Sequence, residues 1–276
     1  TKEEDSVENL LSTNTHDNIL FFTNRGRVFQ LMAYDIPQGS RTAKGQALVN
    51  FLQLAPNEKV TALLGMSDLS KIKYLVMVTT RGNIKKTAVE DFANVRRSGL
   101  IALKLKLDDN LEWVKPSDGT DEIMIATKQG QAIRFKEKDV REMGRTAGGV
   151  RGIRLKGSDE VIGMDIVDPK NKSLAFLTVG ENGVGKRTEL DEYKVQGRGG
   201  SGIKTAAITA KTGNLTFAKV VDAVKLKEKD LLIMSAKGQV IRLPFRSINS
   251  SGRATQGVRL MRFKEEGDKV SSVTLL

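Results

Sequence analysis

The chain has 276 residues, with 45 Lys and Arg against 33 Asp and Glu, a formal net charge of +12 that suits a polyanionic partner such as DNA, RNA or an anionic membrane face. It contains no cysteine, which excludes disulfides and thiolate metal sites. Its apolar runs are too short to span a bilayer and no signal segment is visible, so a cytoplasmic protein without a membrane partner is expected, large enough to bury one sizeable all-β core.

In chain order, residues 1–16 come first, and 6–11 read as the closing strand of a preceding unit. A pattern then recurs five times. Residues 18–23, 74–79, 122–127, 174–179 and 230–235 are apolar runs rich in branched side chains, as in strands buried on both faces. Each meets a tight turn containing Gly26, Gly82, Gly130, Gly183 or Gly238, where glycine supplies the positive φ of a hairpin turn. A return strand and a polar loop lead to Gly45, Gly99, Gly149, Gly202 or Gly257, at separations of 19, 17, 19, 19 and 19 residues. Successive turn glycines are 56, 48, 53 and 55 residues apart. A further short strand follows each second glycine, and a fourth closes the unit. Four short strands at a period of about 50 residues mark a propeller-like array of blades that must stack on one another. The expected repeats span 17–66, 73–118, 121–168, 173–224 and 230–276 within a single domain, five to six four-stranded blades in all.

Polar residues recur in register with the glycines. Four positions after the turn glycine stand Gln30, Lys86, Arg134, Arg187 and Arg242. Four before the second glycine stand Arg41, Arg145, Arg198 and Arg253, with Val95 in repeat two beside Arg96 and Arg97. Nine before it stands an apolar plug, Ile36, Val140, Tyr193 or Ile248, with Phe92 in repeat two. The strand after the second glycine carries Arg151 and Arg154, Lys204, Arg259 and Arg262. Cations at matching stations would form a basic track. With aromatics at only 5%, stacking platforms for single strands are scarce, and duplex backbone is the better target. The expected DNA-contacting set is Arg25, Arg27, Arg41, Lys44, Arg81, Lys86, Arg96, Arg97, Arg134, Arg145, Arg151, Lys186, Arg187, Gln196, Arg198, Lys204, Lys237, Arg242, Arg253 and Arg259.

Other motifs read better as structure. Residues 180–188 nearly spell a phosphate-binding loop, but Arg187 replaces its Mg²⁺-ligating hydroxyl residue and no helix pattern follows. Gly197, Gly199, Gly200 and Gly202 mimic a dinucleotide loop in a repeat position without a βα context. They are expected to let backbone N–H groups approach a phosphate beside Arg198. Tyr193 is expected as a core plug, and the lone His16 as structural. No catalytic, cofactor or metal constellation is visible. A propeller hydrolase is therefore disfavoured, while a scaffold for an acidic protein or anionic lipid stays open as an alternative.

Residues 1–5, 14–17, 24–28 and 40–45 resemble the C-terminal domain of the bacterial DNA gyrase A protein. The resemblance implies a β-pinwheel that bends duplex DNA around its perimeter, a non-catalytic accessory domain. Its implied partners are the rest of the gyrase A protein and the gyrase B protein in an A2B2 holoenzyme, where ATP and Mg²⁺ are bound outside this domain. The wrap then directs strand passage toward negative supercoiling. The family heptapeptide is matched best by residues 196–202, which keep Gln196, Arg198, Gly199, Gly200 and Gly202 but carry Gly197 and Ser201 in place of two cations. A first-blade copy would precede Thr1 or be absent. The related topoisomerase IV domain lacks the motif and binds DNA crossings without wrapping, which remains the alternative.

Overall fold

The computed structural model describes residues 11–39, 45–66, 72–96 and 98–276. Repeat one supplies β1 (Asn18–Thr23), β2 (Arg27–Met32) and β3 (Val60–Gly65). Repeat two supplies β4 (Tyr74–Thr79), β5 (Asn83–Ala88), β6 (Leu100–Ile101) and β7 (Leu111–Ser117). Repeat three gives β8 (Glu122–Thr127), β9 (Gln131–Lys136), β10 (Val150–Arg151) and β11 (Val161–Val167). Repeat four gives β12 (Leu174–Gly180), β13 (Val184–Glu189), β14 (Val195–Gln196), β15 (Ile203–Lys204) and β16 (Leu215–Asp222). Repeat five ends the series with β17 (Asp230–Ser235), β18 (Val240–Pro244), β19 (Val258–Arg259) and β20 (Val270–Leu275). The fold is all-β. Among the described residues no helix is long and apolar enough to cross a membrane.

The chain divides into two compact units. One comprises the described residues through Gly119 together with Val140–Arg151, and holds the sheets β3-β1-β2-β6 and β10-β5-β4-β7. The other comprises Thr120–Asp139 and Gly152–Leu276. It holds β11-β8-β9 with both β14 and β15 on β9, then β16-β12-β13-β19, and β18-β17-β20.

The pairing corrects one expectation. A repeat does not keep all four of its strands. The short strand opened by Gly99, Gly149, Gly202 and Gly257 crosses to the repeat before and pairs antiparallel with its return strand, β6 on β2, β10 on β5, β15 on β9 and β19 on β13. The expected strand after Gly45 is replaced by a 3-10 turn, Leu48–Asn50. The last sheet accordingly shows three strands among the described residues.

The crossing explains the second series of glycines. Gly202 has φ +72°, and a Cβ there would lie 2.5 Å from the Ala132 carbonyl oxygen on β9. Only glycine permits both the conformation and the approach. The turn glycines anchor the same crossing from the other side. The carbonyl of Gly26 accepts N–H bonds from Ala102 and Leu103, and that of Gly183 accepts them from Leu260 and Met261.

A buried acid, missed in the sequence, closes four of the five hairpins. Glu58, Asp109, Asp159 and Asp268 stand two residues before the closing strand. Asp109 accepts the Thr79 hydroxyl at 2.8 Å, the Arg81 N–H at 3.0 Å and the Asn83 amide at 3.0 Å. Glu58 takes the Thr23 hydroxyl at 2.7 Å. Repeat four replaces both partners with glycine, Gly180 for the hydroxyl and Gly213 for the acid. That paired loss leaves neither group orphaned in the interior.

Apolar side chains of consecutive repeats share cores within each unit. Phe92 meets Phe22 edge-on at 5.8 Å in one unit, and Tyr193 meets Phe176 at 5.4 Å in the other. Val140 and Ile248 are likewise buried, as expected of plugs, whereas Ile36 is 38% exposed.

Replacing Gly202 with Ala should lower unfolding free energy by about 2 kcal/mol through its φ and the carbonyl clash. Gly197, with nothing within 4 Å of a built Cβ, should tolerate Ala with little change. Urea unfolding of the two variants reads the contrast.

Candidate nucleic-acid interface

The column four residues past the turn glycine was expected to face DNA, and its geometry corrects that reading for all but Arg242. Arg134 lies against Glu122 at 2.6 Å, both side chains 10% exposed, and also donates to the carbonyls of Leu190 and Tyr193. Arg242 pairs with Asp230 at 2.5 Å, and Gln30 donates to Asn18 at 2.8 Å. In each case the partner stands twelve residues earlier, at the first position of the repeat's leading strand. Lys86 is buried, with its ammonium 4.6 Å from the Tyr74 ring centroid. In repeat four the partner position is Ala175. There Arg187 stacks 5.4 Å over the Phe245 ring, and its buried Nε has no hydrogen-bond partner. Except for Arg242, whose side chain stays 68% exposed beside Asp230, these side chains tie the fold to itself and leave the contact set.

Lys186 leaves it as well. The phosphate-loop look-alike is the β12–β13 hairpin, and the buried Lys186 Nζ donates to the Gly252 and Arg253 carbonyls at 2.7 Å each and to the Thr255 hydroxyl at 3.1 Å. Burial lowers its pKa to about 8. With that lysine occupied by carbonyls, the segment does not fit a nucleotide phosphate. Lys85, not foreseen from sequence, does the same in repeat two, donating to Ala102, Gly144 and Arg145 carbonyls at 2.5, 3.0 and 2.6 Å. Desolvation lowers its pKa to about 8 too. Tyr193 is the expected plug, 1% exposed, its hydroxyl against Thr205 at 2.5 Å, and burial pushes its pKa up to about 12.

The heptapeptide loop also differs from expectation. Gly199 donates its N–H to the Gly152 carbonyl at 2.8 Å, so it is not aimed at a phosphate. Gly200 accepts from the Arg154 N–H at 2.8 Å. Arg198 Nε donates to Asp139 O at 2.9 Å, and Gln196 sits in β14, parallel to β9. Gly199 and Gly202 serve chain packing, while Gly197 stands in open space. Arg145, Arg198 and Arg253 are half-buried at the tips of equivalent loops, and Arg253 Nη1 bonds the Lys204 carbonyl at 2.6 Å.

A recurring group of surface cations lies on the crossed strands. Arg151, Lys204 and Arg259 are the second residues of β10, β15 and β19, all exposed. They stand opposite Asn83, Gln131 and Val184, none a carboxylate. Just beyond follow exposed Lys104 and Lys106, Arg154 and Lys156, and Arg262 and Lys264. The four lysines of this set were missed, although they stand five and seven residues past the second glycine. Arg25, Arg81, Arg96 and Lys237 are exposed near the hairpin turns or arginine loops. Three of them fold back, Arg25 onto Pro56 O, Arg81 onto Asp108 O and Lys237 onto Glu265. Arg27 is tied to Glu58 at 3.0 Å. Arg41, Lys44, Arg97 and the segment 1–10 lie outside the described residues. His16 packs edge-on with Tyr34.

Small strand-exchanged sheets, repeats two to five each lending a short strand to the one before and three of those strands basic, define an all-β repeat module of the propeller class. The chain belongs to the family described as DNA gyrase C-terminal domain, beta-propeller, which matches residues 17–64, 73–118, 121–168, 175–222 and 229–276. It is 41% identical over 274 residues to the DNA gyrase A protein of Staphylococcus epidermidis (strain ATCC 12228 / FDA PCI 1200), covering 99% of this chain and 30% of that protein. Against the DNA gyrase A protein of Staphylococcus aureus (strain NCTC 8325 / PS 47) the identity is 42% over 267 residues, 96% of this chain and 30% of the relative. The chain thus spans 30% of the length of these curated relatives. Among solved structures, a C-terminal domain of DNA topoisomerase IV superposes with TM-score 0.87 at 24% identity, covering 100% of this chain and 84% of the other. A DNA gyrase A C-terminal domain gives 0.77 at 25%, covering 95% and 83%.

Replacing Arg134 with Ala should destabilise the fold by about 3 kcal/mol, since it strands a nearly buried carboxylate. Duplex affinity, measured below the melting transition, should stay at the parent value.

Proposed function

We propose that this chain is the non-catalytic DNA-binding and DNA-bending domain of a gyrase A protein. The observation that carries the reading is the exposed cation at one station of successive crossed strands, Arg151, Lys204 and Arg259, followed on two of them by a second exposed pair. Bending roughly 40 bp through a half-circle costs on the order of 10 kcal/mol, since the persistence length of DNA is about 50 nm. Repeated phosphate contacts offset that cost in proportion to the number of sheets engaged. Contacts of this kind read backbone and deformability rather than base edges, so sequence preference is weak. Acting with the rest of the gyrase A protein and with the gyrase B protein in an A2B2 enzyme, the bent duplex would be presented for ATP-driven strand passage toward negative supercoiling.

A second reading has its own support. The heptapeptide match lacks two of its cations, at Gly197 and Ser201, and the fold resembles a topoisomerase IV domain. In that reading the domain binds DNA crossings without wrapping. Ligation of nicked circles carrying the chain separates the two. A positive linking-number shift supports wrapping, binding without a shift supports the crossing reading, and no binding at low salt sinks both.

Neutralising Arg151, Lys204 and Arg259 together should reduce the slope of log K against log[salt] by about 2.7, at about 0.9 per lost phosphate contact. The loss should be the same on unrelated sequences, and fluorescence anisotropy on two labelled duplexes reads both.

A further inference from the structure

We propose that Lys85 and Lys186 are positioning residues for DNA binding, ammonium clips that draw the carbonyls of two arginine loops inward and so fix Arg145 and Arg253 toward phosphate. The inference rests on the DNA-binding reading above. The two lysines occupy the same place, three residues past turn glycines Gly82 and Gly183, and each reaches into the loop of the following repeat. The bonded carbonyls are equivalent, Gly144 and Arg145 for one, Gly252 and Arg253 for the other. Each clip lies within one compact unit.

An ammonium has three donors and no acceptor, and both lysines direct all three at protein oxygens, Lys85 adding Ala102 O and Lys186 the Thr255 hydroxyl. Carbonyl oxygens turned toward a phosphate would repel it. Held on a buried cation, they leave the outer side of the loop to the arginine. The arrangement also puts a positive charge beneath each loop, screened far less than one in water. The other repeats carry Phe29, Ile133 and Ile241 at this place. Phe29 and Ile133 are buried, so the fold itself accepts an apolar side chain there. A lysine in such a site costs desolvation, seen in the fall of both pKa values to about 8. Stability alone would favour the apolar alternative. What the lysines add is order in the two loops and charge.

Lys85 faces Asp91 and Arg145, and Lys186 faces Glu192 and Arg253. Tyr193, pushed up to about 12, stays protonated throughout the window concerned. A polyanion docked on the loops favours the ammonium form, so duplex binding near pH 8 takes up protons, roughly half a proton per lysine. Affinity accordingly falls as pH rises through 8.

The test compares the 276-residue chain with K85I/K186I, R145A/R253A and the quadruple variant. Anisotropy on a labelled duplex gives affinity, and calorimetry in buffers of different ionisation enthalpy gives proton uptake. K85I/K186I should remain folded by circular dichroism and bind about tenfold more weakly, the order of one charge-assisted contact. Added to R145A/R253A it should cost much less than it costs alone, leaving only the through-space pull of the two charges, because the lysines act mainly through the arginines. Its proton uptake at pH 8 should drop to the background left by all other groups. Should K85I/K186I not fold, K85M/K186M, which keeps side-chain length and removes charge, replaces it in the same comparison. Unchanged affinity, or fully additive losses, would overturn the positioning role while leaving DNA binding intact. A parent chain that ignores duplex at low salt would instead overturn the DNA reading, and this role with it.

Discussion

The structure depends on a two-residue strand placed against the wrong repeat. Each crossed strand hydrogen-bonds to the return strand before it, and a positive-φ glycine lets its backbone come against a carbonyl, as Gly202 does on Ala132. A hairpin alone would be marginal in water. Crossing converts the open edge of one hairpin into a paired ladder, and makes consecutive repeats covalently continuous and hydrogen-bonded at once. The same event delivers a basic residue to the edge of the neighbouring sheet. Arg151, Lys204 and Arg259 are therefore placed by backbone pairing rather than by a flexible loop.

Much of this was legible. Two series of glycines gave the repeat, and all of their members but Gly45 are φ-positive in the structure, for example Gly130 at +78° and Gly257 at +90°. The apolar plugs at Val140, Tyr193 and Ile248 were readable from position alone. Pairing partners were not, because the short strands beginning at Leu100, Val150, Ile203 and Val258 look the same whichever hairpin they join. The acid column also went unseen. Glu58, Asp109, Asp159 and Asp268 differ in type, and repeat four breaks the series with Gly213. That break is informative once the hydroxyl partner is known, since Gly180 replaces it in the same repeat. A buried acceptor and its donor are retained or lost together, because either alone carries a desolvation cost.

Reading cations by column failed where sequence could not say which way they point. Arg134 and Arg242 share a station with Arg187, and the first two are tied by acids twelve residues earlier, Glu122 and Asp230. The cross-strand geometry of an antiparallel hairpin brings those positions together, so the tie was in principle predictable from the acid at the start of the leading strand. The Arg134 guanidinium, also bonded to the Leu190 and Tyr193 carbonyls, is turned inward and adds little field at the surface.

Charge in this chain therefore has two separate uses. Inside, lysine and arginine pull loops and strand ends together through carbonyls and carboxylates. Outside, one recurring set, Arg151, Lys204 and Arg259, rides on crossed strands opposite uncharged residues. The net charge of +12 overstates neither use but distinguishes nothing between them. Lys85 and Lys186 belong to both, being buried like the first class and electrostatically directed like the second. A cation sunk beneath a loop attracts a phosphate more weakly than one in contact. It is also harder for salt to screen, so its influence should persist at ionic strengths where exposed lysines are largely neutralised by counterions.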